Sequence, residues 1–332
     1  MRKTERKNRI LYLLLAAACL VPAAAGLCFG SVQLRLADLL GVLRGTAAAE
    51  TEIILLQLRL PRVLAAGLAG IGLSAAGVLL QTATGNGLCA PNIVGINAGA
   101  GFAVLLVSCL LPGRWAALPG AAFLGAVFTA GIVLAVAFAG TGRLSKTTLI
   151  LAGVAVSALM NAGISALSLR FPDAAAAYGS FSVGGFRGVE LRALAIPAAV
   201  ILAGTALSLL LAPRLELLLL GDEQAGALGV NVPLLRLIAV LLASALSAAV
   251  VSYAGLLGFV GLAVPHIARL LAGHSLRRCI PAAVLLGFAL VIAADLAGRL
   301  LFAPSELPAG IITAVIGVPF FLWLLLRRRY RI

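Results

Sequence analysis

The sequence has few charged residues. Asp, Glu, Lys and Arg make up 11% of its 332 residues, whereas a soluble domain carries about 25%. Hydrophobic residues make up 62%, and mean hydropathy is +1.14. No soluble fold could bury this much apolar surface, so the composition indicates a protein of the lipid bilayer.

Acidic residues, histidine and cysteine are also scarce. The chain has 11 Asp and Glu, and its two histidines are His266 and His274. It lacks paired carboxylates and the His-Glu-x-x-His and Gly-x-Ser-x-Gly motifs, so we predict that it is not an enzyme. The five cysteines are scattered singly, without the spacing of a metal site or a disulfide framework. We therefore expect no metal and no cofactor in this chain.

A phosphate-binding loop is missing as well. Residues 140–147 read Gly-Thr-Gly-Arg-Leu-Ser-Lys-Thr, but Ser145 replaces the glycine that precedes the lysine in such loops. The segment joins two apolar runs and is better interpreted as a basic cytoplasmic turn. If the protein drives transport with ATP, the ATP must bind to a separate ATPase chain.

Long apolar runs dominate the remaining sequence. A membrane-crossing helix needs roughly 20 apolar residues, and about ten runs fit, although glycines and Pro265 interrupt the eighth. The runs are 11–30, 61–80, 93–111, 116–139, 147–168, 193–213, 234–254, 256–272, 281–303 and 309–326. The first follows a basic start and could be a cleaved signal peptide, but its length favours a retained helix. We predict one all-α integral membrane domain over residues 1–332.

The basic residues indicate how the chain is oriented. With a cytoplasmic N-terminus and ten crossings, sixteen of the 25 Lys and Arg lie inside, as the positive-inside tendency requires. Both termini are then cytoplasmic. The minority placed outside are Arg35, Arg44, Arg59, Arg62, Arg114, Arg170, Arg187, Arg192 and Arg299. Because basic residues lie at helix ends and do not form one face, the net charge of +14 does not indicate nucleic-acid binding.

A polar segment at about residues 214–232 interrupts the apolar runs on the predicted inner side. Asp222 is placed to cap a short helix with Glu223 in its first turn, and Gly229 to end it in a left-handed conformation. Such a helix would offer a docking surface for a partner. A solvated loop is the alternative interpretation.

Two arginines lie close together on the predicted outer side. Arg59 and Arg62 flank Leu60 and Pro61 just before the second run, and proline suits the first turn of a helix. We expect both guanidinium groups near the outer surface, where carboxylates of a soluble partner could reach them. Anchoring to lipid phosphates is the alternative.

The ninth run contains an acid and a base four residues apart. Asp295 and Arg299 share one helix face in the favourable order. Pairing lowers the cost of a charge inside a membrane, which is about 2.5–3.5 kcal/mol on insertion scales. They form either a structural ion pair or part of the outer mouth of a transport pathway.

Together these segments resemble one family, the FecCD-type permeases of ABC importers for iron-siderophore complexes, vitamin B12 and haem. The matching segments are Leu58 to Arg62, Leu151 to Val154, Leu220 to Ala225, Leu228 to Val230, Gly258 to Arg269, Ala294-Asp295 with Arg299, and Glu306 to Ile311. They occur in the family's order along nearly the whole chain.

The resemblance implies partners and roles. It implies a ten-helix subunit paired with a second permease subunit, two ATPase subunits beneath them, and an extracytoplasmic substrate-binding protein. Arg59, Arg62 and Arg299 would face acidic residues of the binding protein. The loop that docks on the ATPase would contain Gly221, Asp222, Glu223, Gln224, Leu228 and Gly229. Residues of the gate or its packing would be Asn86, Pro91, Gly258, Gly261, Pro265, His266 and Arg269.

The chain departs from the family pattern in places. Residues 85–91 read Gly-Asn-Gly-Leu-Cys-Ala-Pro, where the family commonly has Arg-Asn-Pro-Leu-Ala-Asp-Pro, and Tyr178 stands near the place of a usual tryptophan. We nevertheless predict an importer permease of the bacterial cytoplasmic membrane, for a ferric siderophore or alternatively vitamin B12 or haem. A secondary transporter would need more carboxylates within its spans, where this chain has only Asp295.

Overall fold

The computed structural model describes residues 2–30, 32–139, 145–303 and 305–326. Every regular element within these ranges is helical, as composition predicted. The α-helices are α1 Arg2–Cys28, α2 Leu36–Leu43, α3 Ala49–Glu52, α4 Leu60–Thr84, α5 Ile96–Leu110, α6 Leu118–Ala139, α7 Lys146–Arg170, α8 Pro172–Val183, α9 Ala195–Leu215, α10 Asp222–Ala227, α11 Val232–Ala254, α12 Val260–Ala272, α13 Leu276–Leu300 and α14 Ala309–Leu326.

Seven helical segments among the described residues are long and apolar enough to cross a membrane. They are Ile10–Cys28, Ala49–Thr84, Trp115–Ala139, Lys146–Arg170, Arg192–Leu220, Val232–Ala254 and Leu276–Leu300. Three shorter apolar helices follow Ile96–Leu110, Val260–Ala272 and Ala309–Trp323. Each of these ten segments overlaps one of the ten apolar runs of the sequence, while a count of ten crossings stays a prediction.

Helix α4 forms the centre of the bundle. Most of its residues are buried, and α9, α11, α12 and α13 pack around it. The contacts are close because glycines meet: a Cβ added at Gly70 would lie 2.1 Å from the Gly287 carbonyl oxygen, and one at Gly77 would lie 2.0 Å from that of Gly261. Small residues allow helix backbones to approach in this way.

The helix that contains Arg59 and Arg62 begins earlier than the second apolar run. It is continuous from Ala49 to Thr84, with π-helical turns at Ile53–Arg59. The wider turns directly precede Pro61, which has no amide hydrogen to donate and whose ring would crowd the preceding turn. Both arginines therefore lie within one continuous helical segment, and Pro61 lies in the first turn of its α-helical part, α4.

The basic turn predicted at residues 140–147 lies mostly outside the described residues. Its described part begins at Ser145, whose Oγ accepts a hydrogen bond from the Thr148 amide at 3.1 Å and caps α7. The side chains of the basic residues up to Arg9, and residues 327–332, also lie outside the described part. Their cytoplasmic placement stays a prediction.

Candidate functional site

Arg62 joins two distant parts of the chain at the first turn of α4. Its Nε lies 3.1 and 2.9 Å from the two carboxylate oxygens of Asp295, and its Nη2 lies 2.9 Å from Oδ1. Its Nη1 also donates to Glu306 Oε2 at 2.7 Å. Both carboxylates are bound by one planar guanidinium, the geometry in which charge-assisted hydrogen bonds are strongest.

Arg299 shares the Asp295 carboxylate. Its Nε lies 3.2 Å from Asp295 Oδ2, as the spacing of four residues indicated. Its two Nη atoms donate to the Gly26 carbonyl oxygen at 3.3 and 3.4 Å. The Asp295 side chain is 2% exposed. Arg62, Asp295, Arg299 and Glu306 together form what we call the Arg62 cluster.

Arg59 is used differently from what its sequence context suggested. It is buried, and its Nη1 donates to the carbonyl oxygens of Leu27 and Cys28, each at 2.7 Å, while its Nη2 donates to that of Val32. A cation that satisfies the last carbonyls of a helix is favourable. The guanidinium therefore holds the end of α1. A role of Arg59 in docking stays a prediction.

A cleft of about 280 Å³ opens beside the Arg62 cluster. Arg59, Arg62, Arg299 and Glu306 contribute to its wall together with Arg187, an exposed residue after α8. Sequence reasoning did not single out Arg187, whose only signal was its place on the predicted outer side. The cationic character of this wall suits an approaching carboxylate.

A second polar cluster lies at the other end of α4. Arg236, 1% exposed, donates through Nη2 to both oxygens of Asp222 at 2.7 and 2.9 Å, and through Nε to the Ala83 carbonyl oxygen at 2.8 Å. Lys146 Nζ lies 3.4 Å from Asp222 Oδ1. Arg62 and Ala83 are about 30 Å apart along α4, roughly the thickness of a bilayer core.

The expectation that Asp222 caps α10 is wrong. Gly221 takes the position before the helix, and no side chain bonds the first amides. Burial raises the pKa of Asp222, but the hydrogen bonds and charges of Arg236 and Lys146 outweigh it, so this pKa lies below its ordinary value of 3.8. The contact therefore stabilises the fold above pH 3.8, and this stability is lost as the pH falls through the lowered pKa.

The surface of α10 is exposed beside this cluster. Glu223, Gln224 and Leu228 all reach solvent, and Leu228 is 62% exposed. Gly229 has φ +80°, as predicted for the end of this helix. An exposed leucine on a short helix that is joined to the bundle by Asp222 is suited to contact another protein.

Residues of the predicted gate lie where α12 packs on α4. Arg269 Nη1 donates to Gln81 Oε1, and Gln81 Nε2 lies 3.5 and 3.4 Å from the carbonyl oxygens of Gly261 and Leu262. Gln81 was missed by sequence reasoning, although a glutamine directly after an apolar run is a visible signal. Pro265 is buried in the interior of α12.

The segment that departs from the family pattern packs against the same helix. The Asn86 side chain accepts a hydrogen bond from the Leu88 amide at 2.9 Å, which forms a turn after α4. Pro91 packs against Gly261, where an added Cβ would lie 3.1 Å from the proline Cδ. The His266 ring lies edge-on to Phe320, with centroids 6.5 Å apart. Gly258 lies just before α12, and its carbonyl oxygen accepts a hydrogen bond from the Val260 amide at 2.8 Å.

These features define a multi-pass helical membrane protein with polar clusters at opposite ends of its central helix. The chain belongs to the FecCD transport family, whose family model matches residues 14–327. It is 37% identical over 336 residues to the Fe(3+)-citrate import system permease protein YfmE of Bacillus subtilis, with 98% of each chain covered. It is also 37% identical to the hemin transport system permease protein HmuU of Yersinia pestis, over 82% of this chain and 83% of HmuU.

A solved structure has the same fold. It is described as an inward-facing conformation of a metal-chelate type ABC transporter, and it superposes with a TM-score of 0.86 at 28% identity, over 96% of this chain and 99% of the other. The PsaBC structure from Streptococcus pneumoniae, at 17% identity and a TM-score of 0.53, shares the fold alone.

Proposed function

We propose that this chain is the transmembrane permease subunit of a binding-protein-dependent ABC importer for ferric siderophores. The similarity to the ferric citrate permease YfmE over the full chain carries this proposal. The similarity to HmuU favours haem as the second candidate cargo. Ligand selection is expected to rest with the binding protein.

The proposed arrangement is a ten-helix domain over residues 1–332 in the bacterial cytoplasmic membrane, with both termini inside. The seven long segments and three shorter apolar helices support ten crossings. The two polar clusters, about 30 Å apart along α4, would lie near the two membrane surfaces. The Arg62 cluster would then be outside and the Asp222 contact inside.

The proposed complex contains a second permease subunit, two ATPase subunits and an extracytoplasmic binding protein. ATP would bind only to the ATPases, which would meet the loop at about residues 214–232. The exposure of Glu223, Gln224 and Leu228 supports this docking. The Asp222–Arg236 pair would transmit movement of α10 to the end of α4, because Arg236 also binds the Ala83 carbonyl oxygen. Because Gln81 on α4 is hydrogen-bonded to Arg269 on α12, movement of this end of α4 would then move the predicted gate residues of α12.

Uptake by the complex reconstituted in proteoliposomes tests the function. Ferric siderophore uptake should require ATP, stop with vanadate, and continue when ion gradients are collapsed. Leu228→Asp should place a charge in the docking surface and strongly reduce ATPase co-purification and uptake while leaving the protein in the membrane. The same change at Leu191, which is exposed on the predicted outer side, serves as the control for co-purification.

The outcomes separate the rival functions. Uptake that persists without ATP but stops when the ion gradients collapse would establish a secondary transporter. Normal ATPase co-purification and uptake in Leu228→Asp would show that α10 is not the docking helix. Uptake of haem but of no ferric siderophore would favour the second cargo.

A further inference from the structure

Two carboxylates of its own chain bind Arg62. Its Nε and Nη2 atoms bind Asp295, and its Nη1 donates to Glu306 Oε2 at 2.7 Å. A guanidinium binds a carboxylate best through two neighbouring nitrogen atoms. A further carboxylate could do so only at the Nη1 and Nη2 end, where Glu306 already lies. An acidic group of another protein can therefore bind Arg62 in this manner only after Glu306 has left.

The two carboxylates are held unequally. The Asp295 side chain is 2% exposed and is bound by Arg299 as well as by Arg62. The Glu306 side chain is 26% exposed, and among the described residues its carboxylate is hydrogen-bonded to Arg62 alone. Solvent-exposed ion pairs contribute little to stability, whereas breaking a buried pair is costly. Glu306 is therefore the carboxylate that can be exchanged for another.

The backbone that follows Glu306 is fixed by two neighbouring elements. The Leu307 amide donates to the Gly298 carbonyl oxygen in α13 at 3.0 Å, and the Gly310 amide donates to that of Gly184, just after α8, at 3.1 Å. Both hydrogen bonds join main-chain atoms, so a change at the Glu306 carboxylate leaves them intact. Exchange of this carboxylate thus requires rotation of one side chain and no displacement of α14.

Arg187 provides a further cation in the same cleft of about 280 Å³. Among the described residues, no acidic group lies within 4 Å of its guanidinium. The loop that carries it is anchored by Phe186, which is 1% exposed, and by the Gly185 amide, which donates to the Ala254 carbonyl oxygen at 2.8 Å. The loop therefore holds the backbone of Arg187 at the cleft, while its guanidinium has no internal carboxylate to neutralise it.

We propose that Arg187 and the Nη1 and Nη2 end of Arg62 receive a carboxylate of the extracytoplasmic binding protein, which replaces Glu306 when that protein docks. The displaced Glu306 side chain turns to the solvent of the cleft, and Asp295 stays in place on Arg62. Arg62 is thus bound by two carboxylates before and after docking. This inference rests on the proposed function, which supplies the partner, and adds the internal carboxylate with which that partner competes.

The affinity of the importer for its binding protein measures this competition. The permease–ATPase complex is placed in nanodiscs, and the probe is the cargo-free binding protein that supports uptake in the proteoliposome assay. Glu306→Gln keeps the shape of the side chain but removes its charge, and should lower the Kd about two- to fivefold. Glu190→Gln removes the same charge from an exposed position outside the cleft and should leave the Kd unchanged.

Variants of Arg187 test the second cation. Arg187→Gln should raise the Kd at least about threefold at low salt, mainly through slower association, and the difference should shrink as salt screens the charge. Arg192→Gln removes the same charge from an exposed position outside the cleft and should have no such effect. The gain from Glu306→Gln should be smaller in the Arg187→Gln background, because both residues act on one carboxylate. A thermal melt of each variant checks that it is folded.

Several results would overturn the exchange. A Kd that is unchanged or raised in Glu306→Gln would do so and leave the proposed function intact, because the wild type still binds its partner. An equal gain in Glu190→Gln would show that only net charge matters, and gains seen only with the cargo-loaded binding protein would identify a carboxylate of the cargo as the ligand. Loss of permease dimers in Arg187→Gln would show that the second subunit covers the cleft. Wild-type uptake that needs no binding protein would refute the proposed function along with the exchange.

Discussion

Replacing Asp295 by asparagine removes the carboxylate that Arg62 and Arg299 share. The substitution keeps the size of the side chain but leaves two guanidinium groups facing a neutral amide. The Asp295 side chain is 2% exposed, and that of Arg299 is 5% exposed. Removing one partner of a buried ion pair destabilises a protein by about 3–5 kcal/mol, because a charge is left buried without compensation.

Glu306→Gln provides the matched control. Glu306 binds the same arginine at 2.7 Å, but its side chain is 26% exposed. Because solvent screens such pairs, its loss should reduce the free energy of unfolding by only about 1 kcal/mol or less. The difference between the variants then measures the effect of burial on two carboxylates that bind one guanidinium.

Unfolding of the purified protein in mixed micelles, followed by circular dichroism, measures both free energies. Combining Asp295→Asn with Arg299→Gln should destabilise less than the sum of the single changes, by about 1–3 kcal/mol, because the charge left unpaired is removed as well. Equal losses in Asp295→Asn and Glu306→Gln, or strict additivity in the double variant, would refute this account of the cluster.

Three further predictions concern topology, coupling and packing. Lys146→Cys in a cysteine-free background should resist an impermeant thiol reagent added from outside, and labelling there would contradict the ten-crossing topology. Asp222→Asn should keep the ATPase bound but lower the amount of cargo transported per ATP hydrolysed, whereas Glu223→Gln should not lower it. Equal transport per ATP in both variants would exclude transmission of α10 movement through the Asp222–Arg236 pair. Gly77→Ala should destabilise the folded protein by about 1–3 kcal/mol, because a Cβ there would lie 2.0 Å from the Gly261 carbonyl oxygen. Gly131→Ala is the control, since a Cβ at Gly131 meets open space. Similar melting temperatures of the two variants would contradict the close approach at Gly77.

The helices could be predicted from sequence because their signal is local. Apolar runs and breaks determine them, so the ten runs recur as helices in the structure. Helix α8 was missed because its twelve residues are too few for a crossing run and mix alanine with polar groups. The start of the second long segment at Ala49 was missed, because two acidic residues in its first turn interrupt the apolar pattern.

The candidate site was only partly predictable because its contacts are distant in sequence. Asp295 and Arg299 are four residues apart, and helix geometry brings them together. Arg62 is 233 residues from Asp295, and no local pattern indicates which helices adjoin. The same limit hid the pairing of Asp222 with Arg236, since capping is the local role of an aspartate before a helix.

The glycine contacts of α4 limit the relative movements that its neighbours can make. At Gly70 and Gly287, and again at Gly77 and Gly261, two backbones touch with no side chain between them. A piston-like slide of α13 along α4 would drive side chains of neighbouring residues into the space that the glycines leave free. If the chain transports cargo as proposed, we therefore expect α12 and α13 to pivot at these glycine contacts during the transport cycle and not to slide along α4.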